Sequence, residues 1–463
     1  MKKRTIITFT IAALTALVLL FSFSSTFTGF FTSSNYDYQC PPDCNVILIV
    51  IDVLRADHLS CYNYTRDTSP NLCEFAKEST LFENVRSQAA CTFPSVNSIL
   101  TSKYPFTFLG QPNESIGIPK YIKSLPEILK AKNYNTIAIS ASPIVRKTPS
   151  KVNTQGGFGK GFDFFDEECY WVHASCVNDK LFKFLENIKK PFFIYMHYMD
   201  VHDPYAPPRE FVKKFSKEYN DKEFIEKGYA TPIEEMLYSN GPDVNLTEAD
   251  IRHLVDLYDD EIAYWDLQFK ILLNKLSEKG LMDNTIIIIA ADHGEEFMEH
   301  NSIKHCHTLF DTEIRTPLII RIPFIKGSTK KAKVQNLDIV PTILDYLNFN
   351  LTAYSFEGKS LRPVIESNQD INKYVFSLQN TLRSVNDDRY KLIYDLSSKN
   401  FLLYDLEKDV GEIKNIVDAK TDTFERLKGK LFEWLYIIEG ENTENVEKSN
   451  EALAQLKALG YIA

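Results

Sequence analysis

Two runs of this chain, residues 46–51 and 285–291, are apolar at nearly every position, the pattern of strands buried on both faces. Shorter apolar stretches at 136–140, 191–196 and 317–322 predict further strands. A helix over 125–131 falls between two of them, and this β-helix-β rhythm predicts a parallel arrangement. The longest helix is expected over 248–279, opened by Thr247 with Asp250 three residues on and closed by Gly280. Leu254, Leu257, Tyr258, Trp265, Phe269, Leu272 and Leu276 recur near helical spacing, so one face packs on the sheet. Beyond residue 367 the runs shorten to 373–378, 390–394 and 401–404, a small antiparallel sheet, followed by a helix over 423–437. The predicted fold is α/β: a large mixed, mostly parallel sheet sandwiched by helices, with a smaller C-terminal α+β subdomain containing a short antiparallel sheet.

The first residues break this pattern. Lys2, Lys3 and Arg4 precede an uncharged stretch, 5–31, that is most apolar over 6–23. It predicts an uncleaved membrane anchor, with the basic cluster on the cytoplasmic side and everything after it outside the cytoplasm. Cleavage of the segment would instead give a secreted protein. The expected organisation is an anchor over 1–32, a linker over 33–44, a catalytic domain over 45–366 and a C-terminal subdomain over 367–463. Residues 211–238 are charged and aromatic without a period, and are expected to form an insertion near the site mouth.

At 463 residues the chain has ample volume for one large core, and a net charge of −10 without a Lys/Arg stripe excludes a nucleic-acid surface. Eight cysteines suit an oxidising compartment. Cys40/Cys44, Cys61/Cys73 and Cys169/Cys176 are local pairing candidates, Cys91 and Cys306 a distant one, and free buried thiols are equally allowed.

The chemistry collects where strands end. Asp52 closes the first apolar run, and Asp292-His293-Gly294-Glu295-Glu296-Phe297 follows the later one. In open α/β sheets such ends converge, and two carboxylates with an imidazole suit zinc, manganese, calcium or magnesium. The 191–196 run leads into His197-Tyr198-Met199-Asp200-Val201-His202-Asp203, rich in ligand-type side chains. Thr92 lies just before a short helix expected over 96–101, where amides and helix dipole favour an anion and a cation could activate its hydroxyl. His58 and His173 read as ordinary histidines, and Arg55 with Asp57 as a pair ordering the loop after the first strand.

In order and spacing, the blocks Asn45 to Leu59, Thr92-Phe93-Pro94-Ser95, His197 to Pro208, Asp292-His293-Gly294-Glu295 and Arg315-Thr316-Pro317-Leu318 resemble the sulfatase-like branch of the alkaline phosphatase superfamily. The resemblance covers nearly everything after the anchor. It implies Asp52, Asp292 and His293 as metal ligands, and Thr92 as a covalent nucleophile that also touches the metal. It implies His202 as an anion-binding and catalytic group and His305 as the acid beside the leaving group. His307 is a further substrate-binding candidate, and His197 with Asp200 could line a second metal position. Glu295 is expected to brace His293.

Two departures bear on substrate. Formylglycine sulfatases carry a Cys followed by x-Pro-x-Arg; here Thr92 holds the Cys place, Cys91 is one position out of phase, and Val96 stands where the Arg would be. Val53 replaces the second acid of calcium-dependent sulfatases. These favour a Thr alkoxide acting on phosphoric esters, by hydrolysis or by transfer, with a sulfuric ester hydrolase as the alternative. A noncatalytic binding ectodomain on the same fold is the remaining reading. Membrane attachment suits a lipid or glycan ester as the partner.

Overall fold

The computed structural model describes residues 40, 41, 43–107, 117–153, 155–170, 173–208, 210, 211, 214–216 and 246–440. The apolar segment 5–31, most of the expected insertion, and the charged tail lie outside the described residues. Among the described residues, no helix is long and apolar enough to cross a membrane.

Strands β1 (Asn45–Ile51), β2 (Thr80–Arg86), β3 (Asn135–Ser140), β4 (Phe164–Asp166), β5 (Phe192–Tyr198) and β6 (Thr285–Ala291) belong to one large sheet. A two-stranded ribbon, β7 (Glu296–Phe297) and β8 (Ile303–Lys304), follows, and β9 (Leu318–Arg321) and β10 (Ser328–Gln335) complete the large sheet. Its order is β10-β2-β9-β6-β1-β5-β3-β4. β1 is parallel to both β5 and β6, and β9 runs antiparallel to β2 and β6, so the sheet is mixed and mostly parallel, as expected. Every residue of β1, β5 and β6 is buried, which explains why these strands read as continuous apolar runs rather than alternating ones.

The helices are α1 (Pro70–Lys77), α2 (Thr92–Thr101), α3 (Leu125–Lys130), α4 (Ala174–Leu185), α5 (Glu248–Glu278), α6 (Asp311–Ile314), α7 (Ile339–Tyr346), α8 (Arg362–Ser367) and α9 (Thr421–Gly440). α5 opens with the predicted box, in which the Thr247 side chain and the Asp250 backbone N–H, and the Asp250 carboxylate and the Thr247 N–H, bond reciprocally. Its Leu254, Leu257, Trp265, Phe269 and Leu272 join Ile47, Ile49, Ile194 and Ile289 of the central strands in one core. α2 begins at Thr92, four residues ahead of the expected start.

The C-terminal sheet is antiparallel, β11 (Val375–Gln379), β12 (Leu382–Asn386), β13 (Tyr390–Asp395) and β14 (Phe401–Asp405). α9 covers it with Leu427, Leu431, Trp434 and Leu435. The sheet is stitched to the large one where Leu378 N–H donates to the Gln88 carbonyl at 2.9 Å.

Disulfides join Cys91 to Cys306, with Cα atoms 4.9 Å apart, and Cys169 to Cys176. The other two local candidates are not bridged: Cys40 and Cys44 meet thiol to thiol at 2.7 Å, and Cys61 and Cys73 remain thiols.

Candidate active site

Register places the two acids together. Ile51 lies opposite Ala291 in the parallel β1/β6 pair, so Asp52 and Asp292 leave adjacent strands at the same level. Both are buried. Asp292 Oδ1 accepts the N–H of His293 at 2.9 Å and of Val53 at 3.3 Å. Val53 reaches that carboxylate with φ of +52°, a left-handed conformation costly for a β-branched residue and typical of a strained site turn.

Burial alone would raise the Asp52 carboxyl, but the hydrogen bond from His197 and the neighbouring imidazoles hold it well below the usual carboxylate range. His197 Nε2 donates to Asp52 Oδ2 at 3.0 Å, while Tyr195 Oη donates to His197 Nδ1 at 2.7 Å. Burial pushes the Asp292 carboxyl up, and the charge of Asp52 adds to it.

His293 Nδ1 donates to the Gly294 carbonyl at 3.0 Å, which turns the lone pair of Nε2 inward. Burial lowers its pKa to about 3, so the ring is neutral. From Nε2, Asp52 Oδ1 and Asp292 Oδ2 each lie 3.6 Å away and Thr92 Oγ1 3.2 Å. Both of those carboxylate oxygens are buried with no hydrogen-bond partner. Two orphaned anionic oxygens, a neutral imidazole and a hydroxyl converging on one point are the donor set of a divalent cation. Gly294 is required beside them: a Cβ there would stand 2.1 Å from the Thr312 carbonyl oxygen.

Thr92 is the first residue of α2 and is 3% exposed. Behind it Cys91 is bonded to Cys306, the residue after His305, so one disulfide ties the hydroxyl to the imidazole opposite. His305 Nδ1 donates to Glu295 Oε1 at 2.9 Å. Burial opposes its protonation, but Glu295, Asp52 and Asp203 outweigh that and raise its pKa to about 9. Its Nε2 is therefore protonated at neutral pH. His202 stands against the His305 ring, centroids 5.0 Å apart, with Nδ1 donating to the Asp203 carbonyl at 2.6 Å. Thr92 and His305 line a cavity of about 250 Å³ with Phe93, Ile144, Gln379 and Asn380.

The residue range 44–349 matches the family model "Sulfatase", and 299–436 matches "N-sulphoglucosamine sulphohydrolase, C-terminal". The chain belongs to the sulfatase family. The family's enzymes are ester hydrolases of the alkaline phosphatase superfamily and use a divalent metal ion. Among curated relatives, an ulvan-active sulfatase of Formosa agariphila is 24% identical over 82% of this chain and 75% of its own length. An arylsulfatase of Clostridium perfringens is 24% identical over 81% of this chain and 90% of its own. Among solved structures, one determined in complex with D-glucosamine-2-N,6-O-disulfate superposes with a TM-score of 0.71 at 21% identity, covering 86% of this chain and 98% of that one. A phosphonate monoester hydrolase of Agrobacterium radiobacter superposes with a TM-score of 0.70 at 18% identity, covering 84% and 95%.

Of the residues expected from the sequence, Asp52, Thr92, Asp292 and His293 form one cluster, and His202 and His305 face it. His307 is exposed, two residues beyond His305; burial together with the charge of His305 lowers its pKa, and its backbone N–H binds Glu313 at 3.1 Å. His197 and Asp200 do not share a metal position, since both nitrogens of His197 are taken by Tyr195 and Asp52. Glu295 braces His305 and Tyr205, not His293, because the Gly294 carbonyl already orients that ring. Arg55 forks onto Asp57 at 2.8 and 3.0 Å as expected, and also holds the Glu295 carbonyl at 2.9 Å.

Sequence reasoning missed Tyr195, which shares a strand face with His197 at a two-residue spacing. It also missed Lys304, which pairs with Asp203 at 3.4 Å near His202, and the wall contributed by Gln379 and Asn380. The last pair follows from how the C-terminal sheet docks, which no local pattern carries.

Proposed function

We propose that this chain is a membrane-anchored, extracytoplasmic, metal-dependent enzyme that cleaves phosphoric esters through a covalent intermediate on Thr92, passing the group to water or an acceptor alcohol. The single observation carrying this reading is the position of Thr92: its hydroxyl meets His293 Nε2 at 3.2 Å inside the carboxylate cluster, while the neighbouring Cys91 is consumed in a disulfide. A bridged Cys91 has no thiol to be oxidised to an aldehyde, so the hydroxyl is left as the nucleophile.

Asp52, Thr92, Asp292 and His293 would hold the divalent cation, whose charge, when bound, favours the deprotonated hydroxyl and offsets charge on the transferred group. Thr92 Oγ1 forms the bond to phosphorus in line with the leaving oxygen. His305 gives its Nε2 proton to that oxygen as the ester bond breaks, and Glu295 holds the ring in place from Nδ1. In the second half, water or an alcohol attacks phosphorus, its proton passes to His305, and Thr92 is released. His202, beside His305, is placed to bind a nonbridging oxygen.

A second reading, sulfate ester hydrolysis, is supported by the names of the curated relatives. The two separate by experiment: the purified protein, loaded with Zn, Mn, Ca or Mg, is given aryl phosphate monoesters, aryl phosphate diesters and aryl sulfates. The proposal expects phosphoric esters to turn over faster and Thr92→Ala to abolish turnover. Preferential sulfate turnover would reverse the ranking, and activity surviving in Thr92→Ala would remove the covalent step.

A further inference from the structure

A second group of ligand-type side chains lies apart from the cluster around Thr92. His173 caps the start of α4, Asp200 lies two residues beyond the end of β5, and Glu261 sits within α5. One donor atom from each comes within 4.8 Å of the other two. Asp200 is 6% exposed and Glu261 2%. The neighbouring acids of α5 are satisfied by protein donors: Asp259 by His58, Tyr64 and Arg66, and Asp266 by Asn71 and Leu72. Asp200 is different. Its Oδ1 accepts the Ala174 N–H at 2.8 Å, but its Oδ2 is buried with no hydrogen-bond partner.

From this geometry we infer that His173, Asp200 and Glu261 form a second divalent-cation site, separate from the catalytic cluster and structural in role. A buried carboxylate loses its hydration, and a divalent ion would offset that loss while filling the open Asp200 oxygen. Burial lifts the Asp200 carboxyl to about 7 with only backbone N–H groups opposing it, which is the strain such an ion relieves. Burial lowers the His173 pKa, keeping its ring neutral and able to donate a lone pair. One imidazole with two carboxylates selects zinc or manganese over calcium, which takes more oxygens. The Cys169–Cys176 bridge spans the loop that carries His173. The ion would fasten the exit of β5 to α4 and α5, and so steady the segment that presents His202 and Asp203.

The test counts metal. The full chain is stripped with chelator, reloaded with Zn or with Mn, freed of unbound ion by gel filtration and analysed by plasma mass spectrometry. In an Asp52→Asn/Asp292→Asn background, which disables the catalytic cluster, about one ion per chain is expected to remain. Adding Asp200→Asn is expected to remove it, although asparagine still accepts the Ala174 N–H and so preserves the helix cap. His173→Gln is the second variant, used with circular dichroism to verify folding should Asp200→Asn not fold. A background variant that holds no ion, or an ion retained in a folded Asp200→Asn or His173→Gln protein, would overturn the inference. Neither result depends on which ester the enzyme cleaves.

Discussion

The proton on His305 exists because Glu295 is beside it. Its pKa near 9 means that a step needing acid at Nε2 runs undiminished through neutral pH and fails as pH rises through about 9. Glu295→Gln keeps a hydrogen-bond acceptor but removes the charge, so the alkaline limb of kcat/KM should move toward neutral pH; an unmoved limb would mean another group is the acid. Thr92→Ser should retain most activity, whereas Thr92→Ala should lose on the order of 10⁶-fold in kcat, as removal of a nucleophile does elsewhere. Single-turnover kinetics on both variants check this. At this scale the sequence was readable wherever a reactive side chain sat at a strand end: Asp52, Asp292 and His293 could be named because apolar runs stop at them. What it did not carry is which partner a side chain turns toward. Glu295 and His197 each bind a group other than the expected one, a matter of rotamer and register rather than of spacing.

The elements that matter most are β1, β6 and α2, with the Cys91–Cys306 bridge tying the start of α2 to the loop after β8. That bond links positions 215 residues apart and flanks both Thr92 and His305. Cys91→Ser/Cys306→Ser should therefore cost activity by separating nucleophile from acid, about 10²-fold for a displacement near 1 Å. The same variant should lose about 3–5 kcal/mol of stability by freeing the unfolded chain, read by denaturant unfolding. Full activity in the double variant would contradict the clamp. The strands buried on both faces were legible from their unbroken apolar runs. β10, with Lys330, Lys331 and Lys333, was not, because an edge strand carries charge that reads as loop. α2 starts four residues ahead of the expected 96–101 and takes in Pro94, which the first turn of a helix tolerates well.

For the whole molecule, the proposed filling of both buried carboxylate clusters by cations predicts a stability that depends on bound metal. Chelation should lower the thermal midpoint by on the order of 5–10 °C, restored by adding metal back. A midpoint unmoved by chelator would argue that neither cluster is loaded. The proposed anchor makes a separate prediction: the full chain should stay with membranes through alkaline extraction and its catalytic domain should be cut by protease added from outside the cytoplasm, whereas release by alkali would remove the anchor from the proposal. The overall architecture followed from counting elements, but the wall of the cavity formed by Gln379 and Asn380 comes from docking of the C-terminal sheet, a contact nearly 290 residues from Cys91.

Thr92 is proposed to take the phosphoryl group. Rapid acid quench of the enzyme during turnover of an aryl phosphodiester, followed by accurate-mass peptide analysis, should find a phosphoryl ester on Thr92 and an unmodified Cys91–Cys306 bridge; an aldehyde at position 91, or an adduct on any other residue, would contradict it.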